Sequence, residues 1–122
     1  MCAAGSQVIG IDVLTNIMAM PDNFHFIHAD STDMSTYLEV VTLVSQYGLI
    51  GLVFQDSSHH YLPSKKEWEL YSQLLASNAI WICDDITPAF YAEGVDPPGK
   101  GMIQYFDELP GDKRLYQDVL HF

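Results

Sequence analysis

The chain has 122 residues, of which 48% are hydrophobic and 17% are charged. This length and composition predict one globular domain, residues 1–122, with a single hydrophobic core, and they exclude an intrinsically disordered chain. Sixteen acidic and five basic residues give a formal net charge of −11, which argues against binding to nucleic acid or to an anionic membrane surface.

Cysteine usage and the absence of targeting signals favour a cytoplasmic protein. The longest apolar run, residues 49–54, is far too short to span a bilayer. The N-terminus does not show the basic segment and apolar stretch of a secretory signal. Cys2 and Cys83 form neither a disulfide framework nor a Cys-x-x-Cys pair.

Four short apolar runs predict buried strands, and each is followed by aspartate. The runs are residues 8–11 before Asp12, 24–28 before Asp30, 49–54 before Gln55-Asp56, and 79–83 before Asp84-Asp85. Continuous apolar runs are typical of strands that are buried on both faces. One more strand is predicted over residues 113–122.

Helical patterns alternate with the later runs. A first helix is predicted over residues 33–47, with Asp33 as its N-cap and Gly48 at its C-terminal end. Residues 64–67, Ser-Lys-Lys-Glu, are typical of a capping box and predict that a second helix begins there. Its buried side is expected to carry Trp68, Tyr71, Leu74 and Leu75. A third helix is predicted over residues 101–109.

This alternation predicts an α/β fold in which βαβ units form a parallel sheet. Ligands bind at the carboxyl ends of the strands in such sheets, so the aspartates are expected to gather along one edge. Three carboxylates at one edge, Asp56, Asp84 and Asp85, repel each other unless a proton or a cation neutralises them. Oxygen ligands favour a hard ion, Mg²⁺ first. The alternative is that these aspartates cap helices or lie in solvated loops.

Four further residues have two interpretations each. His59 lies three residues after Asp56, where it either accepts a proton from a bound hydroxyl or forms local hydrogen bonds. Asp12 either binds the hydroxyls of a ribose or caps a helix. Asp30 and Ser31 either contact an adenine or cap the next helix.

Residues 51–61, GLVFQDSSHHY, and after the second helix residues 80–85, IWICDD, resemble the second half of class I S-adenosylmethionine-dependent methyltransferases. The metal-dependent O-methyltransferases and the cephalosporin-hydroxylase-like methyltransferases are the most similar groups. The resemblance implies a Rossmann-like, mostly parallel sheet flanked by helices, and S-adenosylmethionine and Mg²⁺ as cofactors. The implied roles are metal ligands for Asp56, Asp84 and Asp85, a base for His59, and cofactor contacts for Asp12, Asp30 and Ser31.

One departure from the family concerns the start of the sheet. The family places a first strand and a glycine-rich loop before the strand that begins here at Val8, and that first strand lies centrally in its sheet. Only residues 1–7 precede Val8, and the chain stops near the sixth strand. We therefore expect a partial domain, incomplete at both ends. Either the strand over residues 8–12 pairs directly with the strand over residues 49–54, or another chain, in a homo-oligomer or as a partner strand, fills the gap.

The function expected first is Mg²⁺-assisted methyl transfer to the oxygen of a small hydroxylated molecule. A metal-dependent phosphoester hydrolase would use the same carboxylates, although the charge of −11 repels phosphate. A non-catalytic interaction remnant that pairs with a partner by strand addition is the third hypothesis.

Overall fold

The computed structural model describes residues 6–14, 19–86 and 93–116, and within these ranges the protein is mixed α/β. The elements in chain order are β1 (Val8–Asp12), β2 (Phe24–His28), α1 (Met34–Tyr47), β3 (Ile50–Gln55), α2 (Tyr61–Tyr71), β4 (Leu75–Cys83) and α3 (Met102–Glu108). A single 3₁₀ turn, Ser72–Leu74, joins α2 to β4. None of the described helices is long and apolar enough to cross a membrane.

The four strands pair in parallel, as the alternation of elements predicts. β1 pairs with β2, and Asp12 lies opposite His28 at the carboxyl ends of the two strands. β3 pairs with β4, and Gln55 lies opposite Cys83. The described strands nevertheless form two separate two-stranded sheets, and no ladder joins β1 to β3. The division falls where the resemblance places an additional central strand.

Both sheets pack against the same hydrophobic core. Its buried members are Val40 from α1, Leu70 and Tyr71 from α2, and Leu74 from the 3₁₀ turn. Half-buried side chains from all four strands contact this cluster: Ile9, Ile11, Ile27, Ile50 and Trp81. A second cluster of Tyr61, Met102 and Tyr105 packs α3 against the start of α2. Burial of side chains of this size stabilises the fold by about 1.5–3 kcal/mol each.

The outer face of the β3–β4 sheet is apolar and exposed. Leu52 and Phe54 are 58% and 63% exposed, and Ile80 and Ile82, which lie opposite them, are 60% and 43% exposed. The prediction that the apolar runs are buried on both faces is therefore wrong for these two strands in the described part of the chain. On the opposite face, Trp81 packs against the helical core, and its partner on β3 is Val53.

The start of α2 differs from the prediction. The helix begins at Tyr61, and Ser64 and Glu67 are buried inside it, so the predicted capping box is wrong. The physical reason is a distant residue: a carboxylate oxygen of Asp96 accepts the backbone N–H of Tyr61 at 2.8 Å and caps the helix earlier. Pro63 is compatible with this start because the first turn of a helix does not use its N–H groups.

The boundaries of α1 and α3 are close to the prediction, whereas those of β4 and of the predicted last strand differ from it. α1 has Asp33 at its N-cap and ends at Gly48, whose φ of 107° suits glycine. α3 falls within the predicted range, whereas β4 begins earlier, at Leu75. Residues 113–116 form no strand, and the rest of the predicted last strand, 117–122, lies outside the described residues.

Candidate metal centre

The parallel pairing of β3 and β4 brings Asp56 and Asp84 to the same sheet edge. Gln55 and Cys83 are paired at the carboxyl ends of the two strands, and the aspartates are the next residues. The backbone N–H of Asp84 donates to the carbonyl oxygen of Gln55 at 3.0 Å, which extends the ladder by one bond. This arrangement is the one expected from parallel strands that each end in aspartate.

Four side chains converge at this edge. Asp56, His59, Asp84 and Asp85 each offer one ligand atom, and these atoms all lie within 4.8 Å of one another. Throughout the described ranges it is the one group of three or more such side chains that is arranged to hold a metal ion. The structure thus brings together the three predicted metal ligands and the predicted base.

His59 connects two of the carboxylates. Its Nε2 lies 3.0 Å from Oδ1 of Asp56 and 3.1 Å from Oδ2 of Asp85. Carboxylate oxygens only accept hydrogen bonds, so Nε2 carries a hydrogen in this arrangement. In a neutral ring the lone pair then lies on Nδ1. The local hydrogen bonding expected as one interpretation of His59 is therefore present.

The backbone is strained at two residues of the cluster, His59 and Asp85. His59 has a φ of 60° and Asp85 a φ of 54°, and they are the non-glycine residues with positive φ in the described part of the chain. The left-handed conformation costs an L-residue about 1–2 kcal/mol, although His and Asp adopt it more readily than most residues. Such strain persists where the surrounding structure holds it, commonly at functional sites.

The electrostatics of the cluster suit a cation. Burial raises the pKa of Asp84 above its ordinary value, and the neighbouring carboxylates of Asp85 and Asp56 raise it further. A bound cation would reverse this effect because it stabilises the charged carboxylates. Carboxylate oxygens are the donors that hard divalent ions prefer, so the residues present fit Mg²⁺.

The two predicted cofactor aspartates lie at the carboxyl edge of the other sheet. Oδ1 of Asp12 accepts the backbone N–H of Leu14 at 2.9 Å. Oδ1 of Asp30 accepts the hydroxyl of Thr32 at 2.6 Å and the backbone N–H of the same residue at 2.8 Å. The bond from the hydroxyl, followed by that from the N–H, lowers the pKa of Asp30. Both carboxylates therefore stabilise local turns, and neither belongs to the metal cluster.

A buried polar network that the sequence analysis missed lies beside the cluster. Gln55 and Glu67 are each only 5% exposed, and Nε2 of Gln55 donates to Oε2 of Glu67 at 2.6 Å. The hydroxyl of Ser57 donates to the same oxygen at 3.0 Å, and the hydroxyl of Ser31 donates to Oε1. The available sequence signal was a glutamine that ends an otherwise apolar strand.

The other end of Gln55 connects the network to α3. Its Oε1 accepts the indole N–H of Trp81 at 3.0 Å and the hydroxyl of Tyr105 at 2.7 Å. The thiol of Cys83 lies 3.5 Å from the same oxygen, and burial raises its pKa to about 11. Cys83 is therefore an uncharged packing residue at neutral pH, as its place in an apolar strand predicts.

No family model matches the sequence, and no curated protein matches it. The fold and the site by themselves define an α/β protein with a candidate divalent-cation centre at the carboxyl ends of two parallel strands.

Proposed function

We propose that this chain is an S-adenosylmethionine-dependent, Mg²⁺-assisted O-methyltransferase domain of Rossmann-like type, which acts on a small hydroxylated molecule in the cytoplasm. The observation that carries the proposal is the convergence of Asp56, His59, Asp84 and Asp85 at the ends of adjacent parallel strands. These are the positions to which the resemblance of residues 51–61 and 80–85 assigns the metal ligands and the base.

In this proposal the aspartates of the cluster bind the ion and His59 accepts a proton. Asp56, Asp84 and Asp85 would hold the ion through their carboxylate oxygens. When bound, Mg²⁺ supplies positive charge that favours the ionised form of an acceptor hydroxyl. His59 would accept the hydroxyl proton, since its ring contacts both Asp56 and Asp85 at the edge where the ion would bind.

The edge of the β1–β2 sheet is the proposed cofactor side. S-adenosylmethionine supplies the methyl group when bound. Asp12 would bind its ribose hydroxyls, since an acidic side chain at a strand end is the residue type used for this purpose. Asp30 and Ser31 would contact its adenine. The carboxylate of Glu67 on α2 accepts hydrogen bonds from Ser31, which follows β2, and from Ser57, which follows Asp56. The proposed cofactor side and the metal cluster therefore both lie next to Glu67.

The test of the metal centre is calorimetric titration of Mg²⁺ and Mn²⁺ into the chain and into Asp56→Ala. We expect the unaltered chain to bind one divalent ion and the variant to bind it at least about tenfold more weakly, because a charged ligand has been removed. Asp107→Ala is the matched control, since Asp107 is an exposed aspartate of α3 outside the cluster. Equal affinity of Asp56→Ala and the unaltered chain would contradict the metal role.

The test of the reaction class is titration of S-adenosylhomocysteine with and without Mg²⁺. Binding would support the methyltransferase proposal, and Asp12→Ala should weaken it. Release of phosphate from esters in the presence of Mg²⁺, without binding of S-adenosylhomocysteine, would instead favour the phosphoester hydrolase.

A further inference from the structure

One face of α2 contacts the carboxyl ends of both sheets. Ser64, Glu67 and Tyr71 are spaced three and four residues apart, so they lie on the same side of the helix, and all three are buried. The hydroxyl of Tyr71 donates to the carbonyl oxygen of Ser31 at 2.7 Å, after β2. The carbonyl oxygen of Ser64 accepts a hydrogen bond, at 3.2 Å, from Nε2 of Gln55, which ends β3.

Glu67 lies at the centre of this face. Its two carboxylate oxygens accept hydrogen bonds from Ser31, Gln55 and Ser57. Gln55 and Ser57 are the residues immediately before and after Asp56, the candidate ligand from β3. The carboxylate therefore holds both chain neighbours of Asp56 and at the same time holds the turn that follows β2.

The stability of the fold does not by itself account for a carboxylate at this position. Removing an ionised group from water is costly, and a hydrophobic residue of similar volume is often neutral or stabilising in its place. The three hydrogen bonds offset this cost, and they also fix the geometry of the three donors. Such a residue contributes position more than it contributes net stability.

We propose that Glu67 is a positioning residue, which sets the placement of Asp56 in the metal centre and couples it to the Ser31 turn. This inference rests on the proposed metal centre. Partners that orient metal ligands typically change metal affinity by about 10–100-fold when they are replaced. The absence of a backbone ladder between the described parts of the two sheets makes this side-chain connection the more important.

The test compares Glu67→Gln with the unaltered chain. The amide cannot accept all three hydrogen bonds, because it has one oxygen and one donor group. We expect affinity for Mn²⁺, measured by calorimetry, to fall about tenfold or more while circular dichroism and the urea transition show a folded chain. We also expect faster amide hydrogen exchange in residues 29–33. The control is Glu69→Gln, an exposed glutamate of the same helix, which should change neither quantity.

Two smaller changes keep the test decisive if Glu67→Gln does not fold. Ser57→Ala removes only the hydroxyl donor beside Asp56 and should weaken Mn²⁺ binding. Ser31→Ala removes only the hydroxyl donor in the turn after β2 and should increase the rate of amide hydrogen exchange in residues 29–33. Unchanged Mn²⁺ affinity in Ser57→Ala, with binding intact in the unaltered chain, would overturn the positioning role alone, and so would unchanged affinity in Glu67→Gln if that variant folds. No Mn²⁺ binding by the unaltered chain would overturn the metal centre, and the positioning role with it.

Discussion

At the scale of single residues, the candidate metal centre shows like charges held together by a histidine. Three aspartates and His59 meet at one sheet edge, and Nε2–H of His59 is within hydrogen-bond distance of both Asp56 and Asp85. The sequence predicts the convergence because parallel strands end at the same edge. It does not predict the contact of His59 with Asp85, because the two residues are far apart in the chain and both have left-handed backbone that no local pattern indicates.

We expect the crowding of carboxylates around Asp84 to lower the stability of the fold when no cation is bound. In Asp84→Asn the charge is lost and the shape is kept, so repulsion from Asp85 and Asp56 is relieved. We expect the free energy of unfolding, measured by urea denaturation with a chelator, to rise by about 1 kcal/mol. The same variant should lose the stabilisation that Mg²⁺ gives to the unaltered chain.

Asp107→Asn, at an exposed position outside the cluster, is the control for Asp84→Asn. It should leave both the free energy of unfolding and the effect of Mg²⁺ unchanged. A loss of stability in Asp84→Asn with chelator present would show that the carboxylates do not repel each other in the folded chain.

At the scale of elements, α2 is the segment in which local signals and tertiary contacts disagree. Ser64 and Glu67 have the spacing of a capping box, yet both are buried within the helix. The helix instead starts at Tyr61, with His60 at its N-cap, because Asp96 accepts the N–H of Tyr61. Asp96 lies 35 residues away in the chain, and for this reason no local pattern reveals the cap.

The two helix starts offer a direct comparison. We expect Asp96→Ala to lower the free energy of unfolding by about 1–2 kcal/mol, because the buried carboxylate accepts the N–H of Tyr61. Asp33→Ala should stay within about 0.5 kcal/mol, since the side chain of Asp33 makes no capping hydrogen bond to α1. Urea denaturation of both variants checks the prediction. Equal losses would show that Asp96 does not stabilise α2 through this cap.

At the scale of the whole molecule, two separate sheets share one core. The same cluster of α1 and α2 side chains contacts all four strands, while the outer face of β3 and β4 remains exposed. The prediction of parallel pairing is confirmed. Completion of the sheet by a homo-oligomer or by a partner strand stays a prediction, which sedimentation velocity of the chain tests.

This arrangement predicts where apolar substitutions matter. Leu70→Ala should lower the free energy of unfolding by about 2–5 kcal/mol, because Leu70 is 5% exposed at the centre of the shared core. Phe54→Ala should cost less than about 1 kcal/mol, since Phe54 is 63% exposed on the outer face. Thermal and urea denaturation check both values. A large loss in Phe54→Ala would show that the outer face is covered in solution.

The sequence by itself determined the four described strands apart from the earlier start of β4, the extents of α1 and α3, and the aspartates at the strand ends, because these depend on periodicity, capping and the direction of parallel strands. The strand predicted over residues 113–122 is wrong over residues 113–116. Only the tertiary structure decided that α2 starts at Tyr61 and that Glu67 binds Gln55 and Ser31. It also decided that the described strands divide into two sheets. The physical reason is that these features rest on contacts between residues far apart in the chain, which local patterns do not encode.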